Sequence, residues 1–238
     1  MEIFTLIWEQ YLYIPLFNFL VWLYLNYSWY NLGIAVIILT VILRIVLLPF
    51  TILTERAKII SQKLRQQINE IEKDFASDPV KRKIIIRQLL KNKKIRPWAK
   101  AVVLGIQALV LVLLYRVFLG GINTEEKLHL LCPSIPRPDF INTKFLWFDI
   151  GQRNLTAAAI VAGFLFAQII INFQSRRRQL SKKEQLYSLF FPISVFIILA
   201  ILPSVKSIFI LTSLVISSII SMVAIFIKIS LKKAKQNS

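Results

Sequence analysis

Arg44 lies in the middle of an apolar run, residues 32–50, and no Asp or Glu occurs in any long apolar segment of the chain. A charge at mid-bilayer costs ~2.5–3.5 kcal/mol on insertion scales and normally pairs with an acid on a neighbouring helix. Lacking such an acid, Arg44 is expected to face water or a transient partner, and so to create positive potential inside a membrane. The other polar side chains in the apolar runs do not ionise. Thr40 lies one helical turn before Arg44 and shares its face. Gln107 and Gln168 are amides suited either to lining a polar groove or to hydrogen-bonding between helices. Ser213, Ser217 and Ser221 recur at i, i+4 and i+8, which fits either a close helix contact or a groove wall.

These residue types exclude most catalysis. An intramembrane aspartyl protease needs two Asp within spans. A serine counterpart needs Ser and His in the membrane, and the one histidine, His129, falls in a loop. Ion-coupled transporters normally carry carboxylates at mid-depth. No G-x-x-x-x-G-K-[ST] phosphate loop is present. His129 and Cys132 are too few to hold a metal, and a single cysteine makes no internal disulfide. The chain is therefore expected to be neither an enzyme nor a cofactor or metal binder.

The elements that position these residues follow from composition. Hydrophobic residues make up 56% of the 238, and the mean hydropathy is +0.63, values of a helical membrane protein. Five spans of about 20 residues are expected, near 32–52, 98–118, 154–173, 187–202 and 205–227. The formal charge is +18, but its distribution matters more than its sum. Thirteen Lys or Arg fall in 54–96, five in 174–186 and four from Lys228 onward; 119–153 holds four, Lys206 adds one, and 1–31 holds none. This asymmetry puts the clusters in the cytoplasm, the N-terminus outside and the C-terminus inside. The start, with no charged n-region, does not read as a cleavable signal. The clustered charge reads as topology and contact with anionic lipids, or as docking for ribosomal RNA or a nascent chain; no specific DNA binding is expected.

Residues 1–31 are expected to form an N-terminal amphipathic helix along the outer interface, since Trp8, Tyr11, Tyr13, Trp22, Tyr24, Tyr27, Trp29 and Tyr30 favour headgroup depth. Segment 54–96 reads as a cytoplasmic helical hairpin. Ile60, Leu64, Ile68, Ile71 and Phe75 form one stripe and Val80, Ile84 and Ile85 a second; between them Asp78 is the expected N-cap and Pro79 the first helical residue. Residues 229–238 are the expected basic tail. The fold class is all-α and polytopic.

In the first span the stretch from Gly33 through Thr40 to Arg44 and Pro49 resembles the YidC family of membrane protein insertases around its groove arginine. The resemblance extends from about Trp8 to Met222. It takes in Leu89-Leu90-Lys91-Asn92, Pro97, then Gln107 and Tyr115-Arg116 at the spacing of the family's second span. Phe145 to Ile150 is similar to the lead-in to the third span, Gln168 falls where that span carries glutamine, and Pro192 and Pro203 match the prolines bracketing the fourth. Departures are Leu109, near the position of a family proline, and Ile210 and Leu214, where the family often has a polar-aromatic pair.

The resemblance implies the short form of the family, without its large external domain. It implies a groove open to lipid and cytoplasm and closed to the outside, through which nascent hydrophobic segments and short outer tails enter the bilayer without nucleotide hydrolysis. Arg44, Thr40, Gln107, Gln168 and Ser213 would line it, and Tyr115 is a substrate contact by resemblance alone. Implied partners are nascent membrane proteins, the ribosome and the general secretion channel. The implied location is the plasma membrane of a bacterium, or an organelle inner or thylakoid membrane. Two other readings share these features: an anion-conducting channel or transporter using Arg44, and an assembly factor dedicated to one membrane complex.

Overall fold

The computed structural model describes residues 6, 8–54, 67, 68, 70–72, 74, 75, 78–91, 98–119, 122, 125–174 and 182–234. A π-helical segment, Trp8–Tyr13, leads into α1, Ile14–Tyr27, and α2, Leu32–Val46. Next come α3, Pro79–Lys91, and α4, Trp98–Phe118. A single turn, α5, Glu125–Leu128, precedes an antiparallel pair, β1, Lys144–Phe145, and β2, Phe148–Asp149. The last helices are α6, Leu155–Gln174, α7, Lys182–Ile201, and α8, Val205–Ala234. Two compact units result: Met1–Arg44 with Leu109–Ile220, and Ile45–Ala108 with Ser221–Ser238.

The first unit has a core built from one spacing used three times. Phe17, Leu20, Val21 and Tyr24 of α1 are buried, as are Leu32, Ala35, Val36 and Leu39 of α2 and Val110, Leu113, Leu114 and Val117 of α4. Each set reads i, i+3, i+4, i+7, the apolar stripe of a helix packed on one side. Val205, Ile208 and Phe209 of α8 join the same cluster. Small and branched residues of α6, Ala158, Val161 and Leu165, pack with Leu199 of α7 in a second cluster.

The connection 119–153 is held by hydrogen bonds from the helices. Asn18 on α1 donates to the Leu130 carbonyl (3.0 Å) and accepts from the Cys132 amide (2.7 Å). The Tyr24 hydroxyl accepts from the Asn142 amide at 3.0 Å. Leu32, first in α2, donates its amide to the Asn142 carbonyl, and Ser204 and Val205 donate theirs to Gln152 and Ile150. Lys127 donates to the carbonyls of Val117 and Leu119 at 2.7 and 2.6 Å. That placement caps the C-terminal end of α4, where a cation is favoured, although burial pushes the Lys127 ammonium below its ordinary pKa.

Some helix limits differ from those expected of the spans. The apolar run 32–52 is not one helix: α2 stops at Val46, Leu47 is in a turn, and helix resumes over 48–54. Pro49 explains the break, having no N–H to give the Ile45 carbonyl. The aromatic stretch and α2 meet at an angle; the axes of Trp8–Tyr27 and Leu32–Val46 differ by 114°. Trp29 and Tyr30 turn the chain with φ of 49° and 56°, and Asn31 then caps α2 by accepting from the amides of Gly33 and Ile34. The expected tail from 229 is helical as far as Ala234, because α8 continues through Lys228, Lys232 and Lys233.

By length and composition, Ala101–Phe118 and Val205–Val223 qualify as membrane-crossing helices, and the bent pair of α1 and α2 makes a third if counted as one. The apolar parts of α6 and α7, Leu155–Ile171 and Ser188–Ile201, are shorter. Five spans are thus the sequence expectation, and two or three are what the described helices meet by this measure.

In the second unit Asp78 caps α3 as expected, accepting from the amides of Val80 (3.2 Å) and Lys81 (3.0 Å). Val80 and Ile84 of the second stripe are exposed. Ile60 and Leu64 of the first arm lie outside the described residues.

A Cβ added to Gly33 would collide with the Phe145 side chain, whereas one added to Gly163 meets nothing within 4 Å. Gly33→Ala is therefore expected to destabilise by ~1–3 kcal/mol. Gly163→Ala is expected to be neutral or stabilising by up to ~1 kcal/mol. Thermal unfolding in detergent checks both; equal midpoints would contradict the packing.

Candidate functional site

The side chains with chemistry gather along α8 in the first unit. Arg44 is buried near the end of α2, and its Nε donates to the Ser213 hydroxyl of α8 at 3.4 Å, a long bond. The apolar stripe of α2 carries Arg44 to this place: Leu32, Val36, Thr40 and Arg44 follow one another at i+4. A guanidinium in such surroundings projects its field further than it would in water, because the effective dielectric is lower. Arg44 was expected to face water or a passing partner, but it is only 7% exposed in this structure.

Thr40 is fully buried and donates its hydroxyl to the Val36 carbonyl one turn back at 2.7 Å. That leaves it only lone pairs to offer anything else. Gln168 of α6 donates to the Ser218 hydroxyl of α8 at 2.9 Å, the interhelical bond that was one of its two readings. Ser213 and Ser218 thus face different helices, being five residues and about 140° apart on α8. The regular stripe Ser213, Ser217, Ser221 conceals this division, because Ser218 lies outside it. Gln107 is half-buried on α4 within the second unit. The Asn172 side chain lies outside the described residues.

Tyr115 is half-buried on α4, with the Lys206 ammonium 3.8 Å from the centre of its ring. Lys206 occupies the first turn of α8 and is 5% exposed. The signal was present: Lys206 precedes Ser213 by seven residues, about two turns, and so shares its face. Arg116 pairs with Glu9 at 2.6 Å and lies over the Tyr13 ring at 5.4 Å. Half-exposed on both sides, that pair is worth at most ~1 kcal/mol.

This arrangement offers positive charge and hydroxyl groups between apolar helices. Among the described residues no three His, Cys, Asp or Glu come together to hold a metal.

Sequence comparison places these helices among known proteins. The family model described as 60Kd inner membrane protein matches residues 22–232. The chain belongs to that family, the one to which the YidC insertases belong. A membrane protein insertase YidC of Clostridium tetani is 32% identical over 89 residues, which are 37% of this chain and 40% of that protein. The YidC of Clostridium acetobutylicum is 33% identical over 89 residues, 37% of this chain and 35% of the relative. For Wolinella succinogenes the figures are 31% over 114 residues, 47% and 20%. The matched stretches thus span less than half the length of these relatives.

Ser213→Ala removes the hydroxyl that receives Arg44, and Ser218→Ala the one that receives Gln168. Each is expected to cost ~0.6 kcal/mol, the average for hydrogen bonds between membrane helices. Combining Gln168→Leu with Ser218→Ala should cost no more than the larger single change. Unfolding of the three variants and the double in mixed micelles measures this, and strict additivity would contradict the pairing.

Proposed function

We propose that this protein is a membrane protein insertase that moves nascent hydrophobic segments and their short outer tails into the bilayer without hydrolysing nucleotide. The observation that carries the reading is Arg44, a cation buried between apolar helices and facing Ser213, in a chain of the 60Kd inner membrane protein family. The names of its relatives, membrane protein insertases, support it. An acidic tail entering a low-dielectric layer loses hydration. A fixed guanidinium partway across offsets that cost, and the apolar segment then moves into lipid downhill. Clients are nascent membrane proteins delivered by the ribosome, with the general secretion channel as a further partner and anionic lipids at the basic clusters.

In this reading five helices cross an inner membrane, α6 and α7 included, with the N-terminus outside. The aromatic helix α1 lies along the outer surface. Thr40, Gln107, Gln168, Tyr115 and Ser213 belong to the groove. The mechanism is non-enzymatic and uses no cofactor.

The deciding experiment is photocrosslinking from positions 44 and 107 to ribosome-bound chains of a short single-span client. Crosslinks at intermediate chain lengths that vanish on release are expected. Their absence, with reactive probes and folded protein, would overturn the insertase reading and favour anion conduction through Arg44, measurable as flux in liposomes.

Two further outcomes follow. Arg44→Lys should keep at least about half the insertion activity, whereas Arg44→Glu should lose about tenfold or more, since the role is potential and not bidentate geometry. Equal activity of all three would sink the electrostatic mechanism. Cys132, the one cysteine and exposed, should react with an impermeant maleimide from outside in intact cells. A cysteine at position 180 in a Cys132→Ser background should react only after permeabilisation, and the reverse pattern would invert the topology.

A further inference from the structure

Lys206 is a cation in an unusual setting. It is 5% exposed, and no carboxylate pairs with it among the described residues; its charge rests on the Tyr115 ring, 3.8 Å away. A ring face attracts a cation without neutralising it, so the charge remains available to an anion. Next to it, Ser207 is 2% exposed, and its hydroxyl has no hydrogen-bond partner among the described residues. Buried donors are nearly always satisfied, so an orphan invites an acceptor from outside the fold. Lys206 also shares a face of α8 with Ser213, the hydroxyl that Arg44 engages, two turns or about 10 Å along the helix.

We propose that Lys206 is a second cationic station for acidic client tails, next along α8 after the Arg44–Ser213 pair, with the Tyr115 ring as its cradle. The proposal rests on the insertase reading and names the substrate feature it recognises: carboxylates in the segment that crosses. A tail leaving Arg44 meets a second positive charge before it is hydrated again. Tyr115 thereby acquires a role as a positioning residue for the lysine, distinct from direct contact with the client.

The test compares two single-span clients that differ only in the outer tail, one uncharged and one with four aspartates, in vesicles reconstituted with the full chain. Lys206→Gln should leave insertion of the uncharged client within about twofold and reduce the acidic one about fivefold or more, with Lys206→Arg restoring it. Equal loss for both clients, or no loss for either, overturns the proposal. Arg44→Gln in parallel separates the two readings. A charge-dependent loss there with none at Lys206 overturns this inference alone, while charge-independent behaviour at both overturns the insertase mechanism as well. Should Lys206→Gln fail to accumulate, carbodiimide coupling in the unaltered protein replaces it. An amide between Lys206 and a tail carboxylate of a ribosome-arrested client, found by mass spectrometry, supports the station. Its absence, with coupling at other lysines of the chain, overturns it.

Discussion

Two backbone hydrogen bonds fix the start of α8: Ser204 to the Gln152 carbonyl and Val205 to the Ile150 carbonyl, each 2.9 Å. The rotation of a helix about its own axis is set where it begins. A slip of one residue turns every side chain by about 100°, which would carry Ser213 away from Arg44 and Lys206 away from Tyr115. The Ser204 hydroxyl adds a third bond, again to the Gln152 carbonyl. These anchors lie in the connection before α6, whose own turn is stabilised by the Asp149 carboxylate accepting from Thr143 and Gly151. A stretch that looks like mere linkage therefore controls which faces of the polar helix meet which neighbours.

The polar residues in the apolar helices divide by how their hydrogen-bonding capacity is used. Thr40 spends its proton within its own helix, and Gln168 reaches across to Ser218. Both contribute to cohesion of the first unit. Arg44 and Lys206 differ in kind, because each brings a full charge as well as hydrogen-bond donors: Arg44 donates to Ser213, and Lys206 rests on the Tyr115 ring. Taking such groups out of water is costly, and the cost is borne at two levels along one face of α8, by Lys206 of that helix and by Arg44 of α2 beside Ser213.

Much of this was legible in the chain. Arg44 stands out because nothing acidic shares the apolar runs, and Asp78-Pro79 announces the start of α3 through simple capping chemistry. The limits of α4 and α6 follow from their uninterrupted apolar character. What the sequence obscured came from competition between neighbouring signals. Hydropathy runs straight through Leu47, while the backbone breaks because of Pro49. Pro192 carries the same warning yet sits inside α7. The regular serine stripe drew attention to one face of α8 and away from Ser218. Lys206 stands at the very start of an apolar run, where sequence alone reads a charge as exposed, and only the packing of Tyr115 against it shows a buried one. The loop contacts made by Asn18 and Tyr24 span more than a hundred residues, a range at which local pattern carries no information.

The first unit is discontinuous: its opening segment, Met1–Arg44, closes on Leu109–Ile220. Arg44 and Ser213 are 169 positions apart. At ordinary translation rates the second is made roughly ten to thirty seconds after the first. Throughout that interval α1 and α2 exist without the helix that completes their core, and Arg44 without the hydroxyl it meets in the finished fold. Completion of that core therefore has a fixed temporal order, with α8 as the step that closes it.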